Sequence, residues 1–221
     1  MAKQTVVSSK QIPAVKATGF HRTLGYNMTR VIVSLLARTS ITPDAVSWFG
    51  VLLTLAAAAL IIMGNLVAAG IMVLVAGFFD MLDGALARST NRVTKFGAIL
   101  DSTLDRFSEA ILLLSLLVLY SAQPSIIGIS GQQSMLGIWA AGLALLGSYL
   151  VSYIRARAEG MGIDCEIGIF ARPERVVTLA LGLLLAPINS AFLTAALGII
   201  IFFSFISAGQ RLHHAWRETK K

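Results

Sequence analysis

Charge is scarce in this chain. Of its 221 residues only 13% are Asp, Glu, Lys or Arg, against 56% hydrophobic, and the mean hydropathy is +0.78. A soluble domain is about a quarter charged, so the composition excludes an ordinary soluble globule and indicates an integral membrane protein with one compact domain. Cysteine is nearly missing. Cys165 stands alone, so an intramolecular disulfide is excluded and the redox compartment is left open. The first nineteen residues lack an apolar run, so no cleavable signal peptide is expected. No second soluble domain, internal repeat or low-complexity stretch is visible. A net charge of +7 would by its sum suit a nucleic-acid partner, but the placement of the charges argues for no nucleic acid.

Three blocks hold no Asp, Glu, Lys or Arg at all: 45–79, 110–154 and 176–210. A helix crosses the hydrocarbon core in about 20 residues, so each block is too long for one crossing. Each also breaks near its middle, at "GN" (64–65), "SAQPSIIGISGQQS" (121–134) and "APINS" (186–190). The expected fold is therefore all-α and membrane-integral. It has six transmembrane helices, near 44–63, 66–88, 97–121, 135–157, 173–187 and 190–210. All eighteen Lys and Arg fall outside the blocks on one side, and the three hairpin tips carry none. The positive-inside rule then places both termini and the chemistry on the cytoplasmic side of the cell membrane.

Residues 20–38, "FHRTLGYNMTRVIVSLLAR", space Phe20, Leu24, Met28, Val31 and Leu35 by three or four. That pattern predicts an amphipathic helix on the inner membrane surface; a polar lead-in to the first span is the plainer alternative. The expected organisation is a cytoplasmic tail over 1–19, a membrane domain over 20–217 and a short tail over 218–221.

The acids are few, and four of them sit between greasy flanks in "DMLDGALARSTNRVTKFGAILDSTLDR", Asp80 to Arg106. A carboxylate held out of water is costly unless it is paired or bound to metal. Asp80 and Asp83 are three apart, and Asp101 and Asp105 four apart, so each pair shares a helix face. The short linker makes the second and third helices expected antiparallel neighbours, with the four carboxylates converging at one depth. Hard divalent cations suit such oxygen ligands, and no His or Cys lies nearby to favour zinc. A two-metal site serves phosphoryl chemistry. Gly84 weakens its helix and so marks a close approach, and Arg88, one turn on, is placed to neutralise a phosphate. The competing reading has the acids simply paired with Arg88, Arg92, Lys95 and Arg106.

The spacing D80-x2-D83-G84-x2-A87-R88-x8-G97-x3-D101-x3-D105 resembles the signature of the CDP-alcohol phosphotransferases, with eight fixed residues over 26 positions. "SYIRARAEGMGID" (152–164), "RPERVV" (172–177) and "QRLHHAW" (210–216) resemble one branch, the phosphatidylinositol phosphate synthases, with archaetidylinositol phosphate synthases as near relatives. "TPDAVS" (42–47) resembles the segment that meets the nucleotide. Arg155 departs from the branch, which often has lysine there.

The resemblance implies transfer of a phosphatidyl group from CDP-diacylglycerol to inositol 1-phosphate, giving phosphatidylinositol phosphate and CMP. Asp80, Asp83, Asp101 and Asp105 would hold two Mg²⁺ or Mn²⁺ ions, with Asp105 also the general base. Asp44, Ala45, Val46, Ser47, Gly84, Arg88 and Thr94 would hold the CDP part of the lipid. Arg155, Arg175 and Arg211 would hold the acceptor phosphate, a role that their positions at three helix ends also suit; as positive-inside anchors they would need no such role. The resemblance further implies a homodimer. Glu109 continues the face of Asp101 and Asp105, with a positioning role or a pair with Arg106 expected, and the roles of Arg157 and Arg172 stay open. Rival readings are another acceptor (glycerol 3-phosphate, serine or free inositol), an ether-lipid donor, a divalent-cation transporter and a membrane scaffold.

Overall fold

Short side chains and prolines start the helices. Thr42 caps α1 (Pro43–Ile62), its Oγ1 accepting from the Ala45 amide at 3.3 Å, with Pro43 in the first turn. Asn65 caps α2 (Leu66–Ser89) and Thr94 caps α3 (Lys95–Ala122), the latter accepting from the Gly97 amide at 2.9 Å. Pro173 lies in the first turn of α5 (Arg172–Leu185). The remaining helices are α4 (Gly131–Gly160) and α6 (Ala191–Glu218). These six, with a 3-10 turn over Pro124–Ile127, are the elements of the computed structural model, which describes residues 42–90 and 92–220. Each expected break separates two helices, and Gly64 at the first adopts φ +77°, a turn conformation that favours glycine. The helix expected over 20–38 and the tail over 1–19 lie outside the described residues.

Every helix packs against two others, in the order α1–α2–α5–α6–α4–α3 and back to α1. The six therefore close a ring. One expectation changes here: α2 and α3, joined by a short linker, make no extensive contact with each other, because α1 packs against both. Their carboxylates meet across the inside of the ring instead.

Side-chain contacts set the polarity of the bundle. Ser47 reaches Asp83, Arg172 reaches Asp80 and Asp105, and Arg211 reaches the Val151 carbonyl. The start of α1, the end of α2, the start of α3, the end of α4, the start of α5 and the last third of α6 thus share one charged end. Tyr120, Ser134 and Thr194 meet at the opposite end.

The ring is apolar inside and out. Leu116, Leu119, Leu183 and Leu197 are fully buried, while Leu52, Ile71, Leu136, Trp139 and Phe202 stand more than half exposed on the outside. Apolar surface on this scale marks contact with lipid rather than water. Among the described residues, four helices, α1, α2, α4 and α6, are long and apolar enough to cross a membrane. Of the others, α3 carries Asp101, Asp105, Arg106 and Glu109 within its first 15 residues, and α5 has only 14 residues.

In lipid, helices associate through close packing of small residues rather than through the hydrophobic effect. Gly70 shows this. A Cβ there would lie 3.0 Å from the Ala180 carbonyl oxygen and 2.8 Å from Leu184, so α2 and α5 touch almost backbone to backbone. Gly182 plays the same part between α5 and α6, where a Cβ would stand 2.6 Å from that of Ala196. Gly70→Ala should lower the thermal midpoint in detergent, by overpacking worth about 1–3 kcal/mol. Gly142→Ala, with nothing within 4 Å of the new methyl, should leave the midpoint unchanged or slightly raised.

Candidate active site

The helices deliver three carboxylates to one point. Asp80 on α2 and Asp101 and Asp105 on α3 offer oxygens that all lie within 4.8 Å of one another. Each is half-buried. At such separations in a medium of reduced dielectric, ionised carboxylates repel strongly. Arg172, the first residue of α5, answers part of that charge. Its Nη1 bonds Asp80 Oδ2 and lies 2.6 Å from Asp105 Oδ1. The second contact lacks hydrogen-bond alignment, so Asp105 Oδ1 is buried without a hydrogen-bond partner. All donors in the cluster are oxygen, with no His or Cys among them. An orphaned buried carboxylate oxygen and an all-oxygen cage fit a hard divalent cation such as Mg²⁺ or Mn²⁺.

Asp83 differs from the other three. It is 3% exposed, and it turns toward α1, where its Oδ2 accepts from Ser47 Oγ at 2.5 Å. It remains within electrostatic reach of Asp80 and Asp101 but is not among the oxygens that converge. This bond also engages Ser47, one of the residues expected at the nucleotide. Asp44, Ala45, Arg88 and Thr94 are exposed at the mouth, Val46 is buried in a small cluster with Leu82 and Leu86, and Gly84 is half-buried. The starts of α1 and α3 adjoin here, since a Cβ on Gly97 would meet Thr94 Oγ1 at 2.9 Å and Asp44 Oδ1 at 3.9 Å. The Arg88 guanidinium reaches back over Gly84, 3.4 Å from where a Cβ would stand.

The three arginines expected at the acceptor phosphate occupy distinct settings. Arg175 is 3% exposed and forms a bidentate pair with Glu109, through Nε at 2.6 Å and Nη2 at 2.9 Å. Its Nη1 is buried with no partner. Glu109 therefore pairs with Arg175 rather than with Arg106, whose side chain instead bonds the Ser102 carbonyl. Arg211 donates through Nη1 to the Val151 carbonyl at 2.7 Å and through Nε to the Ile167 carbonyl at 2.8 Å. It ties the loop between α4 and α5 to α6, with help from Ser207, Gln210 and His214. Arg155, its side chain 43% exposed, pairs with Glu159 one turn along α4. Arg155 and Arg175 still lie close enough to act on the charge of Arg211.

A narrow cleft, with room for only about 30 Å³ of water-sized molecules, runs down the middle of the ring from this charged end. Asp80, Asp101, Glu109, Arg172 and Arg175 line its polar part, and Val73, Leu112 and Ile200 its apolar floor. Sequence reasoning missed Arg172, whose partner it left open. The available signal was spacing: Arg172 and Arg175 are three apart on α5 and so share a face.

Residues 40–209 match the family model described as CDP-alcohol phosphatidyltransferase. The chain is 35% identical over 192 residues to the archaetidylinositol phosphate synthase of Methanothermobacter thermautotrophicus, covering 86% of this chain and 91% of that one. Its fold superposes on the crystal structure of Mycobacterium tuberculosis phosphatidylinositol phosphate synthase with CDP-DAG bound. The TM-score is 0.75 at 33% identity, covering 86% of this chain and 94% of the other. The same mycobacterial protein in complex with manganese and citrate superposes with a TM-score of 0.75, at 33% identity, covering 85% of this chain and 88% of that one.

The two ion pairs beside the cluster should respond differently to truncation. Glu109→Ala strands the buried Arg175 guanidinium and should cost about 3–5 kcal/mol of stability. Arg155→Ala breaks a solvated pair and should cost under about 1 kcal/mol. Unfolding in detergent, followed by circular dichroism against denaturant, measures both.

Proposed function

The chain belongs to the CDP-alcohol phosphatidyltransferase family, and from that premise we propose that it transfers a phosphatidyl group from CDP-diacylglycerol to inositol 1-phosphate, giving phosphatidylinositol phosphate and CMP. The observation that carries this reading is the convergence of Asp80, Asp101 and Asp105, all from the family motif, within 4.8 Å. The mycobacterial relative supports the lipid donor and the choice of metal, one of its structures having CDP-DAG bound and another being in complex with manganese and citrate.

Asp80, Asp101 and Asp105, with Asp83 beside them, hold two Mg²⁺ or Mn²⁺ ions. Bound there, the ions supply positive charge that neutralises the pyrophosphate. Asp44, Ala45, Val46 and Ser47, with Gly84, Arg88 and Thr94, receive the CDP part of the lipid at the mouth where α1 and α3 adjoin. Arg155, Arg175 and Arg211 attract the acceptor phosphate. Arg175 does so through its uncommitted Nη1, and Arg155 by exchanging its solvated partner Glu159. Asp105 takes the proton from an inositol hydroxyl. That oxygen attacks the β-phosphorus on the lipid side of the pyrophosphate. The bond from the β-phosphorus to the bridging oxygen breaks, and CMP leaves with that oxygen and with Arg88 against its phosphate.

In the membrane, we place six crossings over the helices, with the segment 20–38 on the inner surface and the membrane domain extending over 20–217. The charged end and both termini face the cytoplasm, supported by the one-sided distribution of Lys and Arg. The working unit is a homodimer. The 35% identity to an archaetidylinositol phosphate synthase favours one second reading, the same transfer from an ether-linked donor.

Release of CMP by the purified protein tests the proposal. With CDP-diacylglycerol and Mg²⁺, CMP should form with inositol 1-phosphate and not with free inositol, glycerol 3-phosphate or serine, and EDTA should abolish it. Turnover with a different acceptor would overturn the acceptor assignment, and turnover only with an ether-linked CDP-lipid would establish the second reading. Asp105→Asn should lower kcat by about a hundredfold or more, the scale of general-base catalysis; normal turnover in that variant would remove Asp105 from its role.

A further inference from the structure

Arg172 stands where the chemistry of the carboxylate cage calls for a cation. A single nitrogen, Nη1, spans Asp80 and Asp105. The substitution is imperfect on both sides. Asp105 Oδ1 is left without a hydrogen bond, and Arg172 Nε is buried with no partner. A buried guanidinium that serves as a permanent structural tie meets its partner squarely, as Arg175 meets Glu109 through two aligned bonds one turn further along α5. The two arginines share a helix face and a cleft, yet only one has the geometry of a fixed pair.

Charge counting gives the contrast a meaning. Asp80, Asp101 and Asp105 place three negative charges around one point, and Arg172 is the one cation in direct contact with them among the described residues. Two divalent ions bring as much positive charge as Asp80, Asp83, Asp101 and Asp105 bring negative. Arg172 then becomes surplus, repelled by the ions and without a carboxylate to hold. It sits on the first residue of α5 and lines the same cleft as the unsatisfied Nη1 of Arg175, so its side chain can turn away without unwinding a helical turn.

We infer that Arg172 is a built-in counter-ion that closes the carboxylate cage in the metal-free enzyme, is displaced when metal binds, and then serves as a ligand for a substrate phosphate. The inference rests on the metal-dependent reading above. It makes metal loading and phosphate binding cooperative, because the entry of one frees the residue that holds the other.

Two measurements test it on the full-length enzyme in detergent. The first is Mn²⁺ binding, read from the loss of the free-ion electron paramagnetic resonance signal. Arg172→Gln removes the competitor and should bind Mn²⁺ about tenfold more tightly than the wild type, a difference of ~1.4 kcal/mol. Arg172→Lys, which keeps the charge on a more strongly hydrated ammonium that presents one nitrogen as Nη1 does, should fall between them. The second is the KM of each substrate at saturating Mg²⁺. Arg172→Gln should raise KM for inositol 1-phosphate if the freed guanidinium takes the acceptor phosphate, or for CDP-diacylglycerol if it takes the pyrophosphate. Either rise supports the phosphate role, and unchanged KM for both overturns it. Equal or weaker Mn²⁺ binding by Arg172→Gln overturns the counter-ion role. If that variant unfolds when stripped of metal, Arg172→Lys decides, and weaker binding than wild type counts against the role. A wild type that binds no Mn²⁺ would instead overturn the metal reading of the site itself.

Discussion

Negative charge gathered inside an apolar ring is the constraint around which this molecule is organised. Three converging carboxylates, with a fourth in reach, are tolerable at that depth only when positive charge accompanies them. The need explains why α3, otherwise suited to cross a bilayer, bears its acids only within its first 15 residues, and why the shortest helix opens on two arginines. It also explains why α5 is packed into the ring opposite α3. Arg172 and Arg175 bring cations from α5 to the acids of α2 and α3, and the Glu109–Arg175 fork ties α3 to α5 across the cleft. The contacts to Asp105 and Glu109 thus join α3 to α5, which the apolar packing alone does not, while Arg172 and Asp80 reinforce the packed pair α2 and α5.

Much of this was legible beforehand because it depends on composition along the chain. The breaks at 64–65, 121–134 and 186–190 each separate two helices, with most boundaries within a few residues of those expected. The largest departure is α6, which runs on to Glu218, because "QRLHHAWRE" continues the helix past the apolar stretch. The motif placed Asp80, Asp101 and Asp105 on faces that do meet. What escaped was lateral order. Periodicity tells which side of a helix faces inward, but not which helix it faces, so the insertion of α1 beside both α2 and α3 was invisible. For the same reason the partners of Arg172, Arg175 and Arg211 were not readable. A guanidinium at a helix end has several carboxylates and carbonyls within its reach, and only the packed ring selects among them.

The arginines at the charged end divide into two kinds. Arg211 spends its donors on two backbone carbonyls and so fixes the loop between α4 and α5, while Arg175 is held by Glu109 with one nitrogen to spare. Both owe their orientation to the protein. Arg155 and Arg172 have looser ties, one solvated and one aligned on Asp80 but not on Asp105. A site that must admit and release anions repeatedly needs both kinds: fixed charges to define where the anion rests, and movable ones that exchange partners at little net cost.

The brevity of α5 has a consequence for the bilayer around it. Fourteen residues rise about 21 Å, roughly 9 Å short of the hydrocarbon thickness that its longer neighbours are long enough to span. When its apolar end is level with theirs at the far interface, its charged end stops well short of the near one. Thinned lipid, snorkelling side chains or descending water would then reach Arg172 and Arg175. On the six-crossing placement proposed above, hydrophobic mismatch at this one helix would bring the local aqueous boundary down toward the carboxylates. The proposed acceptor, a soluble polyol phosphate, and an anchored lipid headgroup would meet there without either leaving its own phase.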